Sequence, residues 1–252
     1  MIEFKHPLFD EVYFYEKLIT TSKQAEKMIR EQTAQGNFLV IANEQSGGLG
    51  RNKSNWFSPV GGIWLTAALY GLSVQSSLTI FTGTCLHKIL SKLFPTITND
   101  LKIKWPNDIF LQNRKLSGIL SSHLENEKYH LIGIGLNSNN LDFPDELKED
   151  AISLKNILGE EVDNRQILAE FFDLFAADLP DFIEGKFDLK YFNENSFLKD
   201  KEITLDTDFD QFSGKCRGLN KNGAILIELK SGMIQPFYAG TVVDWSDRKN
   251  LK

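Results

Sequence analysis

Lys104, Asp108 and Lys115 are spaced so that two short strands could bring two ammonium groups and a carboxylate together. They fall in the runs Lys104-Trp105-Pro106-Asn107-Asp108 and Arg114-Lys115-Leu116-Ser117-Gly118-Ile119-Leu120. That set suits a reaction between anions assisted by a divalent metal. Ammonium groups can face phosphate oxygens, and a hard carboxylate can hold magnesium. The elements that must position them are strands. Residues 101–105 and 109–111 are apolar and β-rich, Gln112-Asn113-Arg114 is a turn signal, and Lys115 opens the next apolar run. Taken alone, the plainer explanation is two solvated strand-end charges and a turn-forming Asp108.

A second set lies in residues 43–56, where Gly47, Gly48 and Gly50 permit close backbone approach and Arg51 and Lys53 add positive charge. Gly47 through Ser54 nearly fits a phosphate-binding P-loop. Asn52 stands where the second glycine belongs, and Pro59, Gly61 and Gly62 forbid the helix that must follow, so the P-loop is rejected. The segment is expected to be an exposed loop able to act as a lid over bound ligand. A third set is Thr21 and Ser22 at a helix start, with Thr21 and Gln24 forming a capping box. A fourth is Gly133-Ile134-Gly135-Leu136-Asn137, where alternating glycines in an apolar strand imply close approach of a backbone or ligand.

Together these blocks resemble biotin–protein ligases. Lys-Trp-Pro-Asn-Asp followed by Arg-Lys-Leu-Ser-Gly-Ile-Leu matches that family's central motif at its spacing. Gln45, Gly48, Gly50 and Arg51 match its Gln-x-x-Gly-Arg-Gly-Arg loop, and Trp56 matches the tryptophan after it. Gly133, Gly135 and Asn137 match its Gly-x-Gly-x-Asn strand. Departures are Lys23 for an asparagine, Leu49 for the first loop arginine, Lys53 for a glycine and Ser54 for a frequent arginine. The resemblance spans about residues 12–243.

The resemblance implies activation of biotin by ATP as biotinyl-5′-AMP, then transfer to a lysine of a biotin carboxyl carrier domain of a biotin-dependent carboxylase. It implies biotin contacts from Thr21, Ser22, Gln45, Gly48, Arg51, Lys115, Gly118, Gly133 and Gly135. It implies ATP contacts from Arg51, Trp56, Lys104, Asn107, Lys115 and Asn137. Lys115 and Arg51 would be catalytic, and Asp108 would bind Mg2+ or hold a cationic partner. ATP, Mg2+ and biotin would be cosubstrate, metal and substrate, with no permanently bound cofactor. A lipoate–protein ligase resembles the chain less, because its Arg-Arg-x-x-Gly-Gly-Gly loop is missing. A biotin-binding protein without catalysis is the alternative from another class.

The implied fold is α+β, a mixed, largely antiparallel sheet with flanking helices of the class II synthetase-like type, plus a small C-terminal β-barrel. Residues 1–198 would form the catalytic domain and 199–252 the barrel. Strands are expected at 12–18, 38–42, 61–69 and 129–137, and helical spacing runs from Leu78 to Leu93 and from Ile167 to Leu179, where Pro180 punctuates it. In the barrel, strands at 203–205, 214–219, 224–229 and 233–238 are separated by the hairpin turns Asn222-Gly223 and Ser231-Gly232. A winged helix domain before the ligase has no room here, so no DNA binding is expected.

Composition excludes other classes. A formal net charge of −6 without a long basic run speaks against nucleic acid as the main partner. No apolar run is long enough to span a bilayer and no signal peptide opens the chain, so a cytoplasmic location is expected. Cys85 and Cys216 read as buried free thiols, and four histidines without paired spacing speak against a structural zinc site. A homodimer is left open.

Overall fold

The computed structural model describes residues 4–72 and 77–246. Its centre is an eight-stranded sheet in the order β1-β2-β4-β8-β7-β6-β5, with β3 paired to β2. The strands are β1 (Glu11–Leu18), β2 (Phe38–Leu49), β3 (Asn55–Ser58), β4 (Ile63–Tyr70), β5 (Leu101–Lys104), β6 (Asp108–Leu111), β7 (Arg114–Leu124) and β8 (Tyr129–Leu136). Among the paired strands of the described residues, β1 and β2 run parallel, because helix α1 (Thr21–Arg30) carries the chain across between them. The remaining pairs are antiparallel, as expected for a mixed sheet.

Period-two alternation decides which face each strand residue covers. Leu39 and Ile41 of β2 join the main core under helices α2 (Leu78–Leu93) and α4 (Asn164–Ile183). Phe38 and Val40 point the other way and pack on Ala25, Met28 and Ile29 of α1. Phe81 of α2 stacks on Phe182 of α4 at 4.4 Å between ring centroids. Short helices α3 (Leu154–Leu158) and α5 (Leu189–Glu194) complete this half.

The second sheet is β12-β11-β10-β9-β13, built from β9 (Glu202–Asp206), β10 (Gln211–Leu219), β11 (Ile225–Leu229), β12 (Ile234–Phe237) and β13 (Thr241–Trp245). Gly223 and Gly232 turn at φ of +80° and +82°, as hairpin glycines should. The expected barrel is not closed, since β12 and β13 are the two ends of the strand order. The two sheets share one core: Trp105 Nε1 donates to the Gly223 carbonyl at 3.1 Å, and Phe110 meets Trp245.

Three local expectations change. Thr20, extended at φ −159°, caps α1 and accepts from Ser22 N–H, so the capping box at Thr21 and Gln24 does not form. Thr21 becomes the first helical residue and turns its hydroxyl to the sheet. The segment expected as an exposed loop continues β2 through Leu49 and folds back as β3, with a register shift between Gln45 and Gly48. Pro180 lies inside α4, which runs on to Ile183 before it stops.

His87 of α2 is buried between the Tyr191 hydroxyl at 2.9 Å and the Leu101 carbonyl at 3.0 Å, which satisfies a neutral imidazole at both nitrogens. Burial pushes its pKa down to about 4, helped by Lys102 and opposed by the Leu101 carbonyl. The unfolded chain therefore takes up this proton first, so stability falls as pH drops from roughly 6.5 toward the folded value, and levels off below it. We expect a loss of about 3 kcal/mol across that window. Urea unfolding at neutral and acid pH, compared with His87→Gln, checks this; an unchanged pH slope in the variant rules it out.

Candidate active site

A cavity of about 310 Å3 opens on the sheet where β4, β7 and β8 meet the start of α1 and the β2–β3 hairpin. Its floor is nearly bare backbone. Gly118 and Gly135 are direct register partners on β7 and β8, and Gly133 lies two residues before Gly135 on the same face. The indole of Trp56 lies over this floor: an added Cβ at Gly135 would come within 2.4 Å of Trp56 Nε1, and one at Gly118 within 2.9 Å of its ring.

One end of the cavity is neutral and polar. Gln45 accepts from Thr21 N–H at 2.7 Å through Oε1 and donates to Ser58 Oγ at 2.9 Å through Nε2, which fixes its amide. Thr21 and Ser22 present hydroxyls beside it, and both reach Thr66. The other end is charged. Lys115 Nζ lies 2.8 Å from Asp108 Oδ1 and 5.0 Å from the Trp56 ring centroid. The Lys115–Asp108 contact is an ion pair by distance only; Oδ1 has no directed hydrogen bond. Arg51 lines the same end and donates to the Gly240 carbonyl at 2.8 Å. Burial lowers the Arg51 pKa, and the nearby Asp108 carboxylate opposes that. Asn107 donates to the Ile119 carbonyl at 2.9 Å, which ties the Trp-Pro corner to β7.

Of the residues singled out in the sequence, Thr21, Ser22, Gln45, Arg51, Trp56, Asn107, Asp108, Lys115, Gly118, Gly133 and Gly135 line this cavity. Lys104, Gly48 and Asn137 do not. Lys104 is the register partner of Asp108, and its ammonium lies over the rings of Trp245 at 4.2 Å and Phe110 at 4.8 Å, where the aromatic faces stabilise the cation. Gly48 serves the hairpin, since a Cβ there would meet the Trp56 carbonyl oxygen at 2.5 Å. Asn137 is buried behind the site, and its backbone N–H donates to the Leu116 carbonyl. The side chain of Lys53 lies outside the described residues. Sequence reasoning missed Thr66 and Thr241. A lone hydroxyl in the apolar run Ile63-Trp64-Leu65-Thr66-Ala67 was a readable signal for the first. Thr241 sits on a strand that was not anticipated.

Asp108 is the carboxylate that lines the cavity. Among the described residues no group of three or more His, Cys, Asp or Glu side chains could hold a metal ion, and Lys115 already faces Asp108.

A cavity with a hydroxyl-and-amide end, a glycine floor and a cationic end suits an elongated molecule, neutral at one end and anionic at the other. The sequence model of the Biotin/lipoate A/B protein ligase family matches residues 15–139, and the chain belongs to that family. It is 29% identical over 240 residues to the bifunctional ligase/repressor BirA of Bacillus subtilis (strain 168), covering 91% of this chain and 72% of that protein. It is 28% identical over 166 residues to the biotin–[acetyl-CoA-carboxylase] ligase of Paracoccus denitrificans, covering 62% of this chain and 67% of that one. The biotin protein ligase of Aquifex aeolicus, solved in complex with biotin and ATP, superposes with a TM-score of 0.81 at 24% identity over 94% of this chain and 98% of that one.

Proposed function

We propose that the chain is an ATP-dependent biotin–protein ligase, which activates biotin as its adenylate and transfers it to a protein lysine. The observation that carries this is the Lys115–Asp108 pair and Arg51 at one end of a cavity whose other end holds Thr21, Ser22 and Gln45. In the first step a biotin carboxylate oxygen bonds to the α-phosphorus of ATP, and the bond to pyrophosphate breaks. Both reactants are anions, so charge neutralisation and placement are what the protein supplies. Lys115 bridges the carboxylate and the α-phosphate, Asp108 holds Lys115 in place, and Arg51 offsets phosphate charge. A magnesium ion carried on the triphosphate would sit beside Asp108 and would supply further charge neutralisation. Trp56 offers a flat face to the adenine. In the second step a neutral lysine amine of a biotin carboxyl carrier domain attacks the anhydride carbonyl, AMP leaves, and the amine gives up its proton.

We read residues 1–198 as the catalytic domain and 199–252 as a C-terminal domain that latches the hairpin through Gly240. Among the described residues no helix is long and apolar enough to cross a membrane. We place the reaction in the cytoplasm, where carboxylase carriers are made.

The test is biotin-driven ATP–pyrophosphate exchange, with lipoate and octanoate in parallel. Exchange with biotin alone supports the proposal. Exchange only with lipoate or octanoate moves the chain to the lipoate branch, and no exchange despite tight biotin binding makes it a binding protein. Arg51→Gly is expected to let the adenylate escape, because one charge-assisted hydrogen bond is worth roughly tenfold or more in retention. Labelling of unrelated proteins should rise by about that factor; tight retention in the variant would argue against the lid role of the hairpin.

A further inference from the structure

Thr66 lies in the middle of β4 and is fully buried. Its hydroxyl oxygen is 2.9 Å from Thr21 Oγ1 and 3.1 Å from Ser22 Oγ. Among the described residues these two hydroxyls are its side-chain partners. A hydroxyl has one proton and two lone pairs. A buried proton left without an acceptor is costly, so Thr66 donates to one neighbour and accepts from the other. The two neighbours are thereby made unequal. The one that accepts from Thr66 keeps its own proton free and faces the cavity as a donor. The one that donates to Thr66 faces the cavity with a lone pair, as an acceptor.

We propose that Thr66 is a positioning residue that sorts the Thr21 and Ser22 hydroxyls into one donor and one acceptor. Such a pair is complementary to the edge of a cyclic urea, where a carbonyl oxygen and an N–H stand side by side. This rests on the biotin reading of the cavity and adds to it the origin of selectivity at its neutral end. Gln45 does not do the sorting: its amide bonds the Thr21 N–H and the Ser58 hydroxyl, not the hydroxyls of Thr21 and Ser22. Gly133 leaves room for the arrangement: a Cβ there would come within 3.2 Å of Ser22 Oγ.

The experiment compares Thr66→Val, which keeps the shape and removes the hydroxyl, with Thr66→Ser, which keeps the hydroxyl. Pyrophosphate exchange is measured with biotin and with 2-iminobiotin, whose ring carries an imine nitrogen in place of the carbonyl oxygen. The wild-type enzyme is run first; absence of biotin-driven exchange there overturns the ligase reading and is distinct from a failure at Thr66. Given exchange, Thr66→Val should raise the KM for biotin about tenfold, the loss expected for one unmade buried hydrogen bond. The KM for ATP and the kcat should stay close to wild type, and the preference for biotin over 2-iminobiotin should shrink. Thr66→Ser should restore both. An unchanged KM and preference in Thr66→Val, or equal losses in both variants, overturns the proposal. If Thr66→Val does not fold, Thr66→Ala is read in the same way.

Discussion

Lys115→Ala is expected to lose adenylate formation by about 10²–10³-fold while the chain stays folded. The size follows from what the lysine does. Two anions must meet at the charged end of the cavity, and Lys115 is the ammonium that lines it, beside the indole of Trp56. The single variant has a second effect. It leaves the Asp108 carboxylate, whose side chain is only 15% exposed, without the ammonium 2.8 Å away. An uncompensated buried charge destabilises, and that loss would be mistaken for a catalytic one. The double variant Lys115→Ala with Asp108→Asn separates the two. Its thermal stability should recover while its activity does not. Recovery of activity together with stability would mean that Lys115 is structural. Lys115→Arg is not a conservative replacement here, because a planar fork cannot take the place of a compact ammonium between two oxyanions.

Gly135→Ala is expected to weaken binding of both ligands tenfold to a hundredfold, from overpacking worth about 1–3 kcal/mol. The added methyl would lie 2.4 Å from Trp56 Nε1, and a rigid indole cannot yield as a flexible side chain can. The indole must leave the glycine floor, and the surface that should meet the adenine leaves with it. Tryptophan emission should shift to the red in Gly135→Ala, an effect absent when Trp56→Phe is used as background. The double variant Gly135→Ala with Trp56→Ala should regain stability, since the clash is with that one ring. If stability stays low in the double variant, the crowding lies elsewhere along β4 or β7 and the account of Trp56 fails.

Much of this arrangement could be read from residue order, for physical reasons that differ by element. Helix α2 was legible because Leu78 to Leu93 keeps a helical apolar stripe and stops before Pro95. The glycine floor was legible because alternate glycines in an apolar strand have few other uses. The charged end was legible only in part. Lys104 and Lys115 look alike in sequence, yet Lys115 lines the cavity and Lys104 lies over Phe110 and Trp245. That choice depends on where the second sheet packs, and no local pattern records it. The hairpin was misread for a similar reason. Gly47, Gly48 and Gly50 look like loop formers, but pairing with β3 overrides their propensity, and Gly48 is what lets that strand come close. Thr241–Trp245 was overlooked as a strand because its role is completed by β9, far away in sequence.

The bond from Arg51 to the carbonyl of Gly240 spans 189 residues of sequence. It makes the cavity and the last strand two parts of one thermodynamic cycle. A ligand that draws the guanidinium to its own phosphate must outweigh that carbonyl, and by doing so it frees the residue that leads into β13. Reciprocity then holds in the other direction: anything that grips β13 and stiffens it alters the affinity of the distant cavity by the same factor. A partner that bound the C-terminal sheet more tightly in one of those two arrangements would thus act on the cavity without entering it.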